Sequence, residues 1–157
     1  MLTTFNGVQR RFTYRIKTED LVLIDDYAHH PSEINAVHQA VREMHPNEKV
    51  LAIFQPHLFS RTRDFMNEFA ESLSQFDEML LLDIYPAREE PIDDVTSEAV
   101  LELIQNENKK VISKENLFEA ITKSSAKVIS MMGAGDIGEE ILKVTRLMNK
   151  EKLKINN

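Results

Sequence analysis

The tightest constraint on the fold is an alternation of two periodicities along the chain. Short, nearly continuous apolar runs at residues 21–24, 50–54, 79–84, 111–112 and 128–132 are separated by longer amphipathic stretches. A strand that is apolar at every position buries both its faces, so it belongs inside a parallel sheet covered by helices on either side. The stretches between supply those helices: Ile34, Val37, Val41 and Met44 recur at three- and four-residue steps, as do Phe65, Phe69 and Leu73, and Ile137, Ile141, Val144 and Met148. Pro31 suits a first helical turn, with Ser32 and Glu33 after it, and Pro46 and Asn47 mark that helix's end. Residues 10–16 differ, because Phe12, Tyr14 and Ile16 alternate with Arg11, Thr13 and Arg15, the pattern of a strand with one wet face. They predict an antiparallel edge strand, with residues 17–20 as the connecting turn. The expected fold is α/β, a Rossmann-like three-layer sandwich whose sheet is mostly parallel with an antiparallel edge strand.

With 157 residues the chain can build one core, so residues 1–157 are read as a single domain whose charged tail, 149–157, frays. A net charge of -7 argues against nucleic acid as a partner, since phosphates call for clustered Lys and Arg. The absence of cysteine excludes disulfides, thiolate chemistry and sulfur-based zinc sites. No signal-like or membrane-spanning stretch occurs, so a cytoplasmic chain with no membrane partner is expected. His38 and His45 read as a helix-face residue and a C-terminal cap, and no metal site is expected from any His or carboxylate spacing.

In an open α/β sheet, ligands bind beyond the carboxyl ends of the strands. The segment 25–31 packs two carboxylates, a phenol and two imidazoles between the first buried strand and its helix; Asp25 or Asp26 ordering the turn is the plainer explanation for either alone. In 55–63, Ser60 is a candidate N-cap, with Arg61 and Arg63 in the first helical turn. Arginine opposes the helix dipole there, which points to an anionic ligand, or to neutralisation by Asp64. The proline-bracketed loop 85–91 brings Arg88 to the rim beside Glu89 and Glu90. Gly133 and Gly135 make a turn that can aim N–H groups at an anion or simply turn tightly; following the last strand instead of the first, it does not read as a nicotinamide-binding fingerprint. No G-x-x-x-x-G-K followed by Ser or Thr occurs, so this segment has no phosphate-cradling loop of that kind.

Together, FNGVQRRF at 5–12, DDYAHHPSEI at 25–34, FQPHLFSRT at 54–62, DIYPAREEPI at 83–92 and MGAGDI at 132–137 resemble the C-terminal domain of the Mur ligases, and within them the branch that adds L-alanine. The resemblance runs from about residue 5 to about residue 143. It implies the last third of a three-domain, ATP-dependent carboxylate-amine ligase of peptidoglycan synthesis. In such enzymes one domain holds UDP-N-acetylmuramate, a central domain holds ATP and Mg2+, and the third closes over both through contacts in cis. The reaction passes through an acyl phosphate. Cofactors are not expected to be held tightly by this segment, nor is the segment expected to be active alone.

By the same resemblance, Arg11 and Asp26 are nucleotide-binding, and Tyr27, His29, His57 and Arg61 form the amino-acid pocket. Arg61 pairs with the alanine carboxylate, since a guanidinium meets a carboxylate through two parallel hydrogen bonds. Leu58 stands where some members carry a second arginine, so a two-arginine clamp is not expected. His29 is the catalytic candidate: imidazoles titrate near about 6.5, and the attacking amine must shed a proton, although positioning the amine is the preferred role. Two other readings share some features: the ligase that reattaches recycled murein peptide, which has the GVxRR and HHP elements, and a non-catalytic Rossmann-like binding module.

Overall fold

The computed structural model describes residues 11–156; most of the FNGVQRRF element therefore lies outside the described residues. In chain order the elements are β1 (Thr13–Lys17), β2 (Val22–Asp26), α1 (Pro31–Met44), β3 (Val50–Phe54), α2 (Phe59–Asp64), α3 (Met66–Leu73), β4 (Glu78–Leu81), α4 (Ser97–Leu103), β5 (Lys109–Val111), a 3-10 turn at Lys114–Asn116, α5 (Leu117–Lys123), β6 (Val128–Met132) and α6 (Ile137–Asn156). They form one six-stranded sheet in the order β1-β2-β6-β3-β4-β5. Among the described residues only β1 runs antiparallel, against β2. This is the expected α/β sandwich with an antiparallel edge.

The continuous apolar runs are explained by what covers them. Val50, Ala52 and Phe54 of β3 face one core with Ile34, Val37 and Val41 of α1, Phe69 and Leu73 of α3 and Val100 of α4. Leu51 and Ile53 face the opposite core with Leu117 and Ile121 of α5 and Ile137, Ile141 and Val144 of α6. Full burial of each of these side chains larger than alanine contributes about 1.5–3 kcal/mol. The chain steps through β2, β3, β4 and β5 with its helices on one face, then returns along the other face to insert β6 between β2 and β3. Neighbouring strands thus send their connections to opposite faces, which opens a crevice beyond the carboxyl ends of β2, β6 and β3.

Several boundaries differ from the sequence reading. Strand β2 continues through Asp25 and Asp26, so both carboxylates lie on the strand and not in the following loop. Strand β4 ends at Leu81, although Leu82 and Ile84 remain buried and keep the run apolar. The periodic stretch around Phe65 is two helices, broken where Phe65 leaves helical geometry at φ -121°. Helix α6 spans Ile137–Asn156, so the charged tail after Met148 belongs to its last turns, and the residues just beyond Met148 are exposed. Helices α4 and α5, seven residues each, gave no periodic signal, though Thr96 caps α4 by accepting from the Ala99 N–H at 3.0 Å. His45 is the C-terminal cap of α1 as expected, and its Nε2 lies 3.1 Å from the Tyr14 hydroxyl.

Candidate functional site

The two aspartates at the end of β2 carry internal bonds. Asp25, almost fully buried, accepts from Arg15 Nε at 3.1 Å and from the terminal guanidinium nitrogen at 2.9 Å, tying β1 to β2. Asp26 accepts from the Phe12 N–H at 2.7 Å through Oδ2 and from the Ala28 N–H at 2.8 Å through Oδ1, and its carbonyl takes the Gly133 N–H at 3.2 Å. Burial pushes the Asp26 carboxyl up, and the two backbone N–H groups pull partly against it. Asp26 therefore staples β1, the β2–α1 loop and the β6 turn together. Beside it, Arg11, Phe12, Asp26 and Tyr27 line a cleft of about 340 Å³ floored by Ala36 and Ala40 of α1.

His30 is the N-cap of α1, its Nδ1 accepting from the Ser32 N–H at 3.3 Å. Glu33 reaches back to the His29 N–H at 3.1 Å, a reciprocal closure of the helix start. His29 Nδ1 lies 3.0 Å from the Tyr27 carbonyl oxygen. A carbonyl only accepts, so Nδ1 carries a hydrogen, and in the neutral ring Nε2 is left as an acceptor. The ring meets Tyr27 edge-on at 5.2 Å and His57 at 6.0 Å. The loops after β2 and β3 are thereby brought together.

His57 has the opposite polarity. Arg61 approaches its Nδ1 at 3.2 Å. A guanidinium only donates, so Nδ1 accepts and the neutral ring presents Nε2–H. Burial, then the charges of Arg61 and His29, hold the His57 pKa below the ordinary imidazole value. Such a depressed pKa contributes stability that is present above the unfolded value of about 6.5 and is lost as pH falls below it. In an NMR titration of the chain, His57 should titrate below a free imidazole, and Arg61→Met should move its midpoint upward; an unmoved midpoint would refute the Arg61 contact. Asp64 does not neutralise Arg61, because it pairs with Arg63 at 2.9 Å on the surface.

Ser60 is not the N-cap of α2; that position is Leu58, at φ +73°. Instead the Ser60 N–H donates to Glu89 at 3.0 Å and its hydroxyl donates to the other Glu89 oxygen, which holds the Glu89 carboxyl below the usual range. The negative group at this helix start is thus a side chain of the 85–91 loop. Arg88 is exposed on the same loop. At the β6 turn, Gly133 has φ +152°, and a side chain there would sit 2.8 Å from Ile137 Cγ2. The first N–H groups of α6 do not form an open anion cradle: Gln55 Oε1 accepts from Ile137 N at 3.1 Å, while Gln55 Nε2 donates to Asp136 at 2.7 Å and Lys114 also pairs with Asp136. Gly133 and Gly135 serve close packing at the rim. Two contributors lie within the segments that the sequence singled out but were given no role there, Tyr85 and Gln55, whose partners all lie far along the chain.

Comparison with known proteins identifies the family. The family described as Mur ligase, glutamate ligase domain matches residues 10–137. The UDP-N-acetylmuramate--L-alanine ligase of Christiangramia forsetii is 63% identical over 150 residues, which cover 96% of this chain and 33% of that protein. That of Cytophaga hutchinsonii is 52% identical over 155 residues, covering 99% and 33%. The chain spans about a third of the length of these relatives. Among solved structures, the UDP-N-acetylmuramate-alanine ligase of Thermotoga maritima superposes with a TM-score of 0.68 at 27% identity, covering 92% of this chain and 30% of that one. A murein peptide ligase from Psychrobacter arcticus, at 21% identity and a TM-score of 0.64 over 87% of this chain and 30% of its own, shares the fold. Sheet order, strand-end residues and these matches converge on one conclusion: the chain belongs to the Mur ligase family, as its C-terminal, glutamate ligase domain.

Proposed function

We propose that this chain is the amino-acid-binding lid of a longer ATP-dependent ligase that joins L-alanine to UDP-N-acetylmuramate. One observation carries the reading: across the β2–β3 crevice His29 offers an acceptor at Nε2, while His57 and Arg61 offer donors. An α-amino acid has the matching polarity, an amine that donates and a carboxylate that accepts. The high identity to named L-alanine ligases supports this substrate over recycled murein peptide, and the paired polarity supports a reacting substrate over a purely regulatory ligand.

In the proposed reaction, the γ-phosphoryl group of ATP passes to the sugar's carboxylate, giving ADP and an acyl phosphate. The alanine amine forms a bond to the acyl carbon, and the tetrahedral adduct expels phosphate while the nitrogen loses a proton. This chain's part is orientation: Arg61 and His57 hold the carboxylate, His29 holds the amine, and Tyr27 walls the pocket. Arg11 and Asp26, which line the neighbouring cleft, would meet the nucleotide, Asp26 at or near its ribose. The chain spans about a third of the length of its named relatives, and in this reading Mg2+ and the phosphates would be held by another segment of the longer ligase, so that this domain alone would not catalyse ligation.

The test is ATP-dependent ligation by the full-length protein and its His29→Asn variant. A raised KM for L-alanine with an unchanged pH-rate profile supports positioning of the amine; loss of the limb on the acidic side, where a proton acceptor would itself become protonated, instead makes His29 the proton acceptor. An unchanged KM and profile would remove His29 from the pocket.

A further inference from the structure

We propose that Tyr85 is a positioning residue that sets the plane of the His57 ring and, through it, the donor face offered to the amino-acid carboxylate; this rests on the pocket reading above. The Tyr85 ring stacks on His57 with centroids 5.5 Å apart and planes 13° apart, while His29 meets the other ring at 64°. His57 is thus held face-on by Tyr85, met at an angle by His29 and bonded at Nδ1 by Arg61. The backbone reinforces the stack. Tyr85 N–H donates to the Pro56 carbonyl at 2.8 Å, and the Leu58 N–H donates to the Tyr85 carbonyl at 2.8 Å, so two bonds to one residue bracket His57. They also hold Leu58 at its positive φ, a conformation a β-carbon disfavours.

Behind the ring lies the β6 turn. A β-carbon added to Gly135 would come 2.6 Å from Tyr85 Cγ, 2.8 Å from its Cβ and 2.6 Å from Gln55 Oε1, so it would crowd both side chains. Glycine at this position leaves the space into which Tyr85 settles. The chain of contact runs from the β6 turn through Tyr85 to His57, which joins the MGAGDI and DIYPAREEPI motifs to the pocket. The aromatic face, and not the phenol, performs this task, so phenylalanine should substitute for it.

In the full-length ligase, Tyr85→Leu should raise the KM for L-alanine about five- to tenfold with the KM values for ATP and UDP-N-acetylmuramate unchanged. Tyr85→Phe should match wild type, and Gly135→Ala should raise the same KM by displacing the ring. Equal loss for all three substrates, a Tyr85→Phe variant as impaired as Tyr85→Leu, or a wild-type KM in Tyr85→Leu would overturn the proposal. Should Tyr85→Leu fail to fold, Gly135→Ala and Tyr85→Phe decide by the same criteria. The His57 NMR titration in this chain is independent of the substrate: Tyr85→Leu admits water and should raise the midpoint, whereas Tyr85→Phe should not. If His57→Ala leaves the KM for L-alanine unchanged, the pocket reading fails, while an unmoved His57 midpoint in Tyr85→Leu sinks the Tyr85 assignment itself.

Discussion

Arg61→Ala in the full-length ligase is expected to lower kcat/KM for L-alanine by roughly two to three orders of magnitude, which corresponds to about 3–4 kcal/mol of lost charge-assisted hydrogen bonding in a partly buried site. The loss should fall mainly on KM for L-alanine and leave KM for ATP nearly unchanged. Arg61→Lys should recover part of it, because an ammonium restores the charge without the planar fork. Stability should barely change, since the side chain is only half-buried and bonds to His57 alone among the described contacts. Initial rates with L-alanine as the varied substrate give the answer; a wild-type KM would take Arg61 out of the carboxylate site.

Asp26→Ala should act on the fold. It leaves the Phe12 and Ala28 N–H groups without their acceptor, at a cost of about 2–3 kcal/mol, or roughly 5–10 °C in Tm for a domain of this size. Because burial raises the Asp26 pKa, ionisation counts against stability. The favourable contribution is present below the unfolded carboxyl value and is lost as pH rises through the folded one. Asp26→Asn removes that charge and keeps one acceptor, so its loss at neutral pH should be about half that of Asp26→Ala. Thermal unfolding of this chain measures both. A wild-type Tm for Asp26→Ala would mean the staple contributes nothing, and would free Asp26 for a purely ligand-facing role.

These two residues also mark how far the sequence could be read. Runs such as VLAIF at 50–54 and VISMM at 128–132 announced buried parallel strands because both of their faces are covered. Once the strand ends were known, the crevice rule singled out the segments 25–31 and 55–63, and the family resemblance grouped His29, His57 and Arg61 within them. What stayed hidden were partners far apart in the chain. Ser60 looked like a local cap, yet its partner Glu89 arrives from the next strand's loop. The two aspartates looked like loop residues, but cross-sheet bonds from Arg15 and Phe12 hold them on the strand. Tyr85 gave no periodic or motif-level sign of its stack on His57, because that depends on the parallel bridge between the two loops. Helices α4 and α5 are too short to establish a helical period.

The central claim is that an amino acid sits between His29 and the His57–Arg61 pair. It is tested most directly by following the imidazole resonances of the full-length ligase during titration with L-alanine, in the presence of UDP-N-acetylmuramate and a non-hydrolysable ATP analogue. The account predicts saturable shifts at His29 and His57 together, with His38 and His45 unmoved, and their loss in Arg61→Ala. Saturable binding of L-alanine that leaves both His29 and His57 unshifted would contradict it.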